Sequence, residues 1–372
     1  MRKKMKRKIR VLHIINGADL GGISVLLLNY YRVMDRDAFH FDFVYTMETL
    51  GYNAVKFQEM GSKFYKLPLK SKHPIKYYFS LKTLIVNGDY TVIHSHTNFT
   101  SYFDLIIAKR FRIKHRVAHA HTNEQNKKVT FRVKQFLSRK LHNKYATRLI
   151  SSSVSAQECV FGKNLKVSST ILKPAIDIKN FRFNNDKRLE LLIQYGLSNK
   201  IVVGNVGRMS QEKNLFFLLD IFKKLREIDG RFVLVMIGSG PLHDEILDYS
   251  RNQGIEKYIL FLGQKENVSE LMNLFDVVII PSFNEGFCIS ALEAISNGIL
   301  TFVSSNVPSD MEFSKLITYL SLDLSSQKWA DEVVSRLQNN EGHIDNSVEI
   351  QSNGFDILQN VKDLELVYKE GE

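Results

Sequence analysis

Ile201-Val202-Val203-Gly204-Asn205-Val206-Gly207-Arg208-Met209-Ser210-Gln211-Glu212-Lys213-Asn214 sets the architecture of this chain. Its first six residues form a short, β-branched run, the pattern of a strand covered on both faces. A glycine and a polar loop follow, and Leu215–Ile228 then carries apolar residues at helical spacing. Strand, loop, helix is one half of a βαβ unit, and the pattern recurs in both directions along the chain. Downstream, strands are expected at Phe232–Ile237, Tyr258–Leu262, Val277–Pro281 and Leu300–Ser304. Helices are expected at Leu242–Asn252, Val268–Phe275 and Ile289–Ser296, with Pro241 at a first helical turn. Upstream, strands are expected at Arg10–Ile15, Phe41–Thr46, Thr91–His96, Arg116–His119 and Arg148–Ser152, with helices at Ile23–Met34 and Pro74–Asn87 and an extended stretch at Val167–Pro174. A polar segment, Lys179–Lys187, separates the two series. The expected fold class is therefore α/β, with two Rossmann-like, doubly wound parallel-sheet domains. They are placed at residues 1–178 and 179–352, and an amphipathic helix at Phe355–Tyr368 closes the chain in a last segment, 353–372.

The composition agrees. Of 372 residues, 44% are hydrophobic and 24% charged, ordinary globular values that speak against disorder and fibrous classes. Two cysteines, Cys159 and Cys288, make no disulfide framework and fit a reducing cytoplasm. No apolar run is long enough for a transmembrane helix. The basic start, with seven Lys/Arg between Arg2 and Arg10, leads into a strand rather than a signal-peptide core. The net charge of +12 is unevenly placed: residues 1–180 hold 33 basic and 11 acidic residues, and the rest of the chain has a net charge of −10. The first half should meet something anionic.

In open α/β sheets ligands collect beyond the carboxyl ends of strands, so the residues there come first. Gly21-Gly22 follows the first strand; glycine lets backbone approach a ligand, but a plain turn explains the pair equally well. Arg208 and Lys213 share one loop ahead of a helix, where two cations and free amides suit a diphosphate; a solvated charged loop is the plainer alternative. The richest stretch is Pro281-Ser282-Phe283-Asn284-Glu285-Gly286-Phe287-Cys288-Ile289-Ser290-Ala291-Leu292-Glu293-Ala294. Two glutamates stand eight apart, one in a strand-to-helix loop and one among apolar helix residues, where a carboxylate needs partners. Sugar hydroxyls are suitable, because an ionised carboxylate only accepts. Gly286 and Phe287 would offer amides at a helix start. A helix-terminal Glu285 and a solvated Glu293 are the bland readings.

The spacing resembles the E-x7-E signature of glycosyltransferase family 4, retaining enzymes of the GT-B fold, in which two such domains face a central cleft. The resemblance runs over nearly the whole chain. Gly21-Gly22 matches the family's GG loop, the run from Gly207 to Asn214 its diphosphate-binding Arg and Lys, Ile237-Gly238-Ser239-Gly240-Pro241 its G-x-G-P turn and Phe261-Leu262-Gly263 its nucleobase strand. Stretches such as Asn29-Tyr30-Tyr31-Arg32, His94-Ser95-His96-Thr97 and Arg116-Val117-Ala118-His119-Ala120-His121 look closer still to EpsF-like exopolysaccharide and capsule glycosyltransferases. The resemblance implies a nucleotide-sugar donor, UDP-linked, held by Gly21, Gly22, Gly207, Arg208, Lys213, Gly238, Gly263, Glu285, Gly286, Phe287 and Glu293. It implies that His119, Glu285, Arg208 and Lys213 are catalytic, with His119 near the donor sugar and Glu293 on the ribose hydroxyls. It also implies metal-independent transfer with no cofactor, and a final helix that crosses back to the first domain. The chain departs from the family's usual Gly-Leu-Pro with Gly298-Ile299-Leu300.

His94/His96 and His119/His121 each point one way from a strand, and four histidines could bind zinc. No Cys or carboxylate stands at ligand spacing beside them, so no metal is expected. Gly238-Ser239-Gly240 lacks the third glycine of a dinucleotide fingerprint. Asp35-Arg36-Asp37, the one Asp-x-Asp, follows a helix rather than the strand that a metal-dependent glycosyltransferase needs. Between Lys127 and Arg148 eight Lys/Arg and no acid interleave with Phe131, Phe136, Leu137, Leu141 and Tyr145. Such a helix suits an anionic membrane surface. The expected partners are thus a nucleotide sugar, a lipid-diphosphate-linked saccharide acceptor and the inner face of the plasma membrane, to which a cytoplasmic protein binds peripherally. No nucleic acid is expected, since no stacking-aromatic recognition motif is present. Another GT-B enzyme, such as a nucleotide-sugar epimerase, and a basic nucleic-acid-binding module are the alternatives.

Overall fold

A computed structural model describes residues 8–17, 22–51, 53–122, 129–285, 287–339 and 342–369. Two compact units divide the chain. One runs to Ala175 and resumes at Ile357; the other is Ile176–Asp356. These bounds lie three residues before the 178/179 and four after the 352/353 placed from the sequence.

The first unit holds β1 (Ile9–Ile14), β2 (Phe39–Tyr45), β3 (Phe64–Lys66), β4 (Val92–Ser95), β5 (His115–Ala120), β6 (Arg148–Ser151) and β7 (Ser169–Ile171). Among the described residues they form one sheet in the order β3-β2-β1-β4-β5-β6-β7. The second unit holds β8 (Ile201–Val206), β9 (Phe232–Ile237), β10 (Ile259–Gly263), β11 (Val277–Ile280), β12 (Leu300–Ser304) and β13 (Ile317–Leu320), in the order β10-β9-β8-β11-β12-β13. The neighbouring strands pair in parallel. Central strands are buried on both faces, as in β9, β11 and β12, which is why their sequences are apolar runs rather than alternations.

The sequence misses β3 and β13. Both are edge strands of three or four half-buried residues, too short and too mixed to show a period. Two expected helices come out shorter. Pro241 and Leu242 form a turn ahead of His243–Asn252, and Val268–Leu271 tightens into a 3-10 turn over Met272–Leu274. The helix Ile357–Lys369 belongs to the first unit, where Ile357, Val361, Leu364 and Val367 join a core with Leu27, Tyr30 and Phe41. Lys173 O ties it down by accepting from both Asn360 Nδ2, at 3.0 Å, and Tyr30 Oη, at 3.1 Å.

Each sheet reverses strand order once, between β1 and β4 in the first unit and between β8 and β11 in the second. At such a point the crossover helices leave to opposite faces and open a crevice at the strand ends.

Candidate functional site

At the crevice of the second unit, the loops after β8, β9, β10 and β11 meet. The backbone of the first three interlocks. Gly207 N donates to Ile237 O at 3.0 Å, Met209 N to Ser239 O at 2.9 Å, and Gly238 N to Gly263 O at 2.8 Å. The contact demands glycine. A Cβ on Gly238, whose φ is +135°, would lie 1.9 Å from Gly207 O, and one on Gly240 would lie 2.3 Å from Met209 O. The G-x-G-P turn therefore supports the loop that carries Arg208.

That loop makes a 3-10 turn at Gln211–Lys213, and Asn214 then adopts a left-handed conformation (φ +52°) before the helix Leu215–Ile228. Asparagine tolerates this conformation better than most residues. The turn presents Lys213 across the crevice to Glu285, with Nζ 2.5 Å from Oε1. Ser282 Oγ donates to the same oxygen at 2.8 Å. Burial is the largest influence and opposes the charge on Lys213, but Glu285, Cys288 and Glu212 together outweigh it and raise the ammonium's pKa. Phe283 N donates to Glu212 O at 2.8 Å, and Asn306 Nδ2 to Phe283 O at 3.0 Å, so the loop after β11 is braced from both sides. Ser210 Oγ, at 2.6 Å from Oε1, is the largest influence that lowers the Glu212 pKa. Arg208 is exposed at the rim.

Glu293 lies one turn into the helix Ile289–Ser296. Among the described residues its carboxylate meets no hydrogen-bond donor, and burial pushes its pKa up to about 8. Phe287 lies just ahead of the helix cap Cys288, its ring 5.6 Å from that of Phe355. Cys288 is buried, and its thiol is raised to about 11 by burial and then by Glu285.

The expected residues of the second unit thus gather at one crevice: Gly207, Arg208, Lys213, Gly238, Gly263, Glu285, Phe287 and Glu293. Gly286 and Gly21 lie outside the described residues. Gly22 is the first residue of the helix Gly22–Val33 rather than part of the loop before it. His119 is in the first unit, on β5, where its burial lowers its pKa well below the usual histidine value. The sequence offered His94, His96, His119 and His121 as two pairs but did not show that the pairs meet. Register sets His13 beside His94, and His94 beside Val117, so that β1, β4 and β5 bring together His13, His94, His96, His119 and His121 at the first unit's crevice. His13 is the member that sequence reading missed; it stands alone in its strand, and only the pairing of β1 with β4 reveals it.

Across 98% of this chain and 100% of the other, the fold matches Anabaena HepE, crystallised with UDP, at a TM-score of 0.78 and 18% identity. Two parallel α/β units with this match define the GT-B class. The family model Glycosyltransferase Family 4 matches residues 20–161, and the model Glycosyl transferases group 1 matches residues 187–316. EpsF of Bacillus subtilis, named as a glycosyltransferase, is 30% identical over 332 residues, which cover 87% of this chain and 86% of that one. The Escherichia coli UDP-Gal:alpha-D-GlcNAc-diphosphoundecaprenol alpha-1,3-galactosyltransferase is 25% identical over 62% of each chain, a little under two thirds. The chain belongs to glycosyltransferase family 4.

Proposed function

We propose that this glycosyltransferase moves a sugar from a UDP-linked donor to a lipid-diphosphate-linked saccharide, with retention of anomeric configuration, in exopolysaccharide or capsule biosynthesis. One observation carries the donor reading. The crevice at the β8/β11 switch holds a cation pinned to one glutamate of the E-x7-E pair, while the other glutamate meets no donor among the described residues. In this reading Arg208 and Lys213 hold the diphosphate and stabilise it as it leaves. Gly207, Gly238 and Gly263 let the backbone come close, and Glu293 accepts from the ribose hydroxyls. Glu285, with the amides of Gly286 and Phe287, takes the donor sugar, and His119, Gly21 and Gly22 keep the roles toward it that the family resemblance implies. The C1–O bond to the diphosphate breaks and the acceptor oxygen bonds C1 on the same face. The acceptor's proton passes to a diphosphate oxygen, so no separate protein base is assigned. The names of the Escherichia coli relative and of the HepE complex, which include UDP and a diphospholipid, support the choice of partners. Isothermal titration with UDP, coupled to a transfer assay on an undecaprenyl-diphosphate saccharide, tests it. An Arg208→Ala/Lys213→Ala double variant that folds and still transfers like wild type would overturn the diphosphate assignment.

The acceptor side has its own support. On the helix Val129–Tyr145, Val129 is 73% and Phe136 65% exposed, and Val133 and Leu137 are also exposed. Arg132, Lys134, Lys140 and Lys144 stand exposed on the same helix. A groove of about 770 Å³ beside it is lined by Phe136, Arg139, Lys140, Lys144, Lys163 and Lys166. Exposed apolar residues among cations suit the interface of an anionic bilayer, where rings enter the acyl boundary and ammonium groups meet phosphates. No helix of the described residues is long and apolar enough to cross a membrane. Attachment in this reading is therefore peripheral, from the cytoplasmic side.

A further inference from the structure

The five histidines at the first unit's crevice form a single connected cluster. His13 Nδ1 lies 3.0 Å from His96 Nε2, and His96 Nδ1 lies 2.9 Å from His121 Nε2. The rings of His119 and His121 stack with centroids 3.9 Å apart. His94 turns its Nδ1 to Tyr368 Oη at 2.7 Å. The cluster is short of partners: His119 is 1% exposed, and both of its ring nitrogens are buried with no hydrogen bond among the described residues. A neutral imidazole carries one donor and one acceptor, and leaving both unmade in the interior costs about 1–3 kcal/mol each. Packing alone gives no reason to place such a ring there.

We propose that His96, His119 and His121 bind a divalent late first-row metal ion of the zinc type. One ligand nitrogen from each lies within 4.8 Å of the other two. In a tetrahedral site with bonds of about 2.0–2.1 Å, the ligand nitrogens stand about 3.3–3.4 Å apart. His96 Nδ1 and His121 Nε2 need open by only about 0.4 Å to reach that separation. The donor set excludes magnesium and calcium, which take oxygens, and fits zinc, cobalt, nickel or copper. Three neutral histidines with an open fourth position are a known zinc arrangement. His13, His94 and His96 form a second triad of the same reach. That triad is closed, being fully buried with His94 tied to Tyr368, whereas His121 is only partly buried and gives an ion a way in.

The site shares His119 with the donor reading but rests on none of its other residues, and its test needs no sugar nucleotide. Full-length protein stripped with chelator is titrated with zinc chloride by calorimetry, and with cobalt chloride by visible absorption. The expected result is one equivalent bound with micromolar or tighter affinity, and the intense ligand-field bands of tetrahedral cobalt. His121→Ala and His96→Ala should each weaken zinc at least about 100-fold, a ligand counting for more than the ~10–100-fold of an outer partner. His142→Gln, a buried histidine hydrogen-bonded to Ser138, should leave it unchanged. Weak octahedral bands, no stoichiometric binding to the wild type, or equal affinity in His121→Ala would each overturn the proposal. The wild-type spectra decide even if a variant fails to fold, and UDP titration in chelator reads the donor site separately.

Discussion

Glu293 lets the donor reading be tested through stability alone. Its folded pKa is raised to about 8 from the 4.5 of an exposed glutamate, because burial disfavours the charge. The native state therefore holds a proton that the unfolded chain has released, and stability falls as pH rises from about 4.5 to about 8. Linkage puts the cost at about 3 kcal/mol at pH 7 and about 1 kcal/mol at pH 5. The side chain keeps some contact with solvent, which screens part of this, so about 2 kcal/mol is the working figure for the gap. Glu293→Gln keeps the shape and removes the titration. Urea unfolding of the second unit can be followed by fluorescence, because Trp329, the chain's single tryptophan, is buried there. The variant should be more stable than wild type by about 2 kcal/mol more at pH 7 than at pH 5, while its affinity for UDP falls. A stabilising change that weakens ligand is the mark of a group held for binding rather than for folding. An equal effect at both pH values, or a net loss of stability at pH 7, would refute the picture of an unpartnered carboxyl.

Other expectations follow from the same structure. Asp104 is fully buried and receives Lys70 Nζ at 2.9 Å, Tyr77 Oη at 2.8 Å and Ser95 Oγ at 2.7 Å; Asp104→Ala should cost about 3 kcal/mol in the first unit, seen as an earlier far-UV transition, because three donors lose their acceptor and the largely buried Lys70 loses its counter-charge. Gly240→Ala must push Met209 aside, so it should destabilise the second unit by about 1–3 kcal/mol and weaken UDP binding with no change at any charged residue; unaltered UDP titration would count against the loop's role. Val133→Glu with Phe136→Glu should release the protein from phosphatidylglycerol vesicles in a flotation assay while leaving UDP affinity intact. Retention of the double variant on the vesicles would end the membrane assignment.

The residues of the proposed donor crevice were legible in the amino-acid sequence as a set of strand-end groups. Arg208, Lys213, Glu285 and Glu293 follow strands or open helices, and an α/β sheet gathers such residues at its carboxyl edge. Their pairing was not legible: nothing local says that Lys213 meets Glu285, 72 positions away, because the β8-to-β11 adjacency is a property of sheet order. The edge strands β3 and β13 were missed for want of a period, and His13 for want of a neighbour.

Two α/β units follow from local pattern alone, through apolar runs that only doubly covered parallel strands can bury. The chemistry available at their strand ends, and the excess of positive charge on the first half, are equally local properties of the chain. Which of those groups touch is a matter of the folded arrangement. Strand order set Lys213 on Glu285 and left Glu293 without a donor among the described residues; register drew five histidines from three strands into one cluster; and packing seated the last helix in the first unit. Side-chain type and period are written locally, whereas contacts between distant residues depend on how the strands are ordered and aligned.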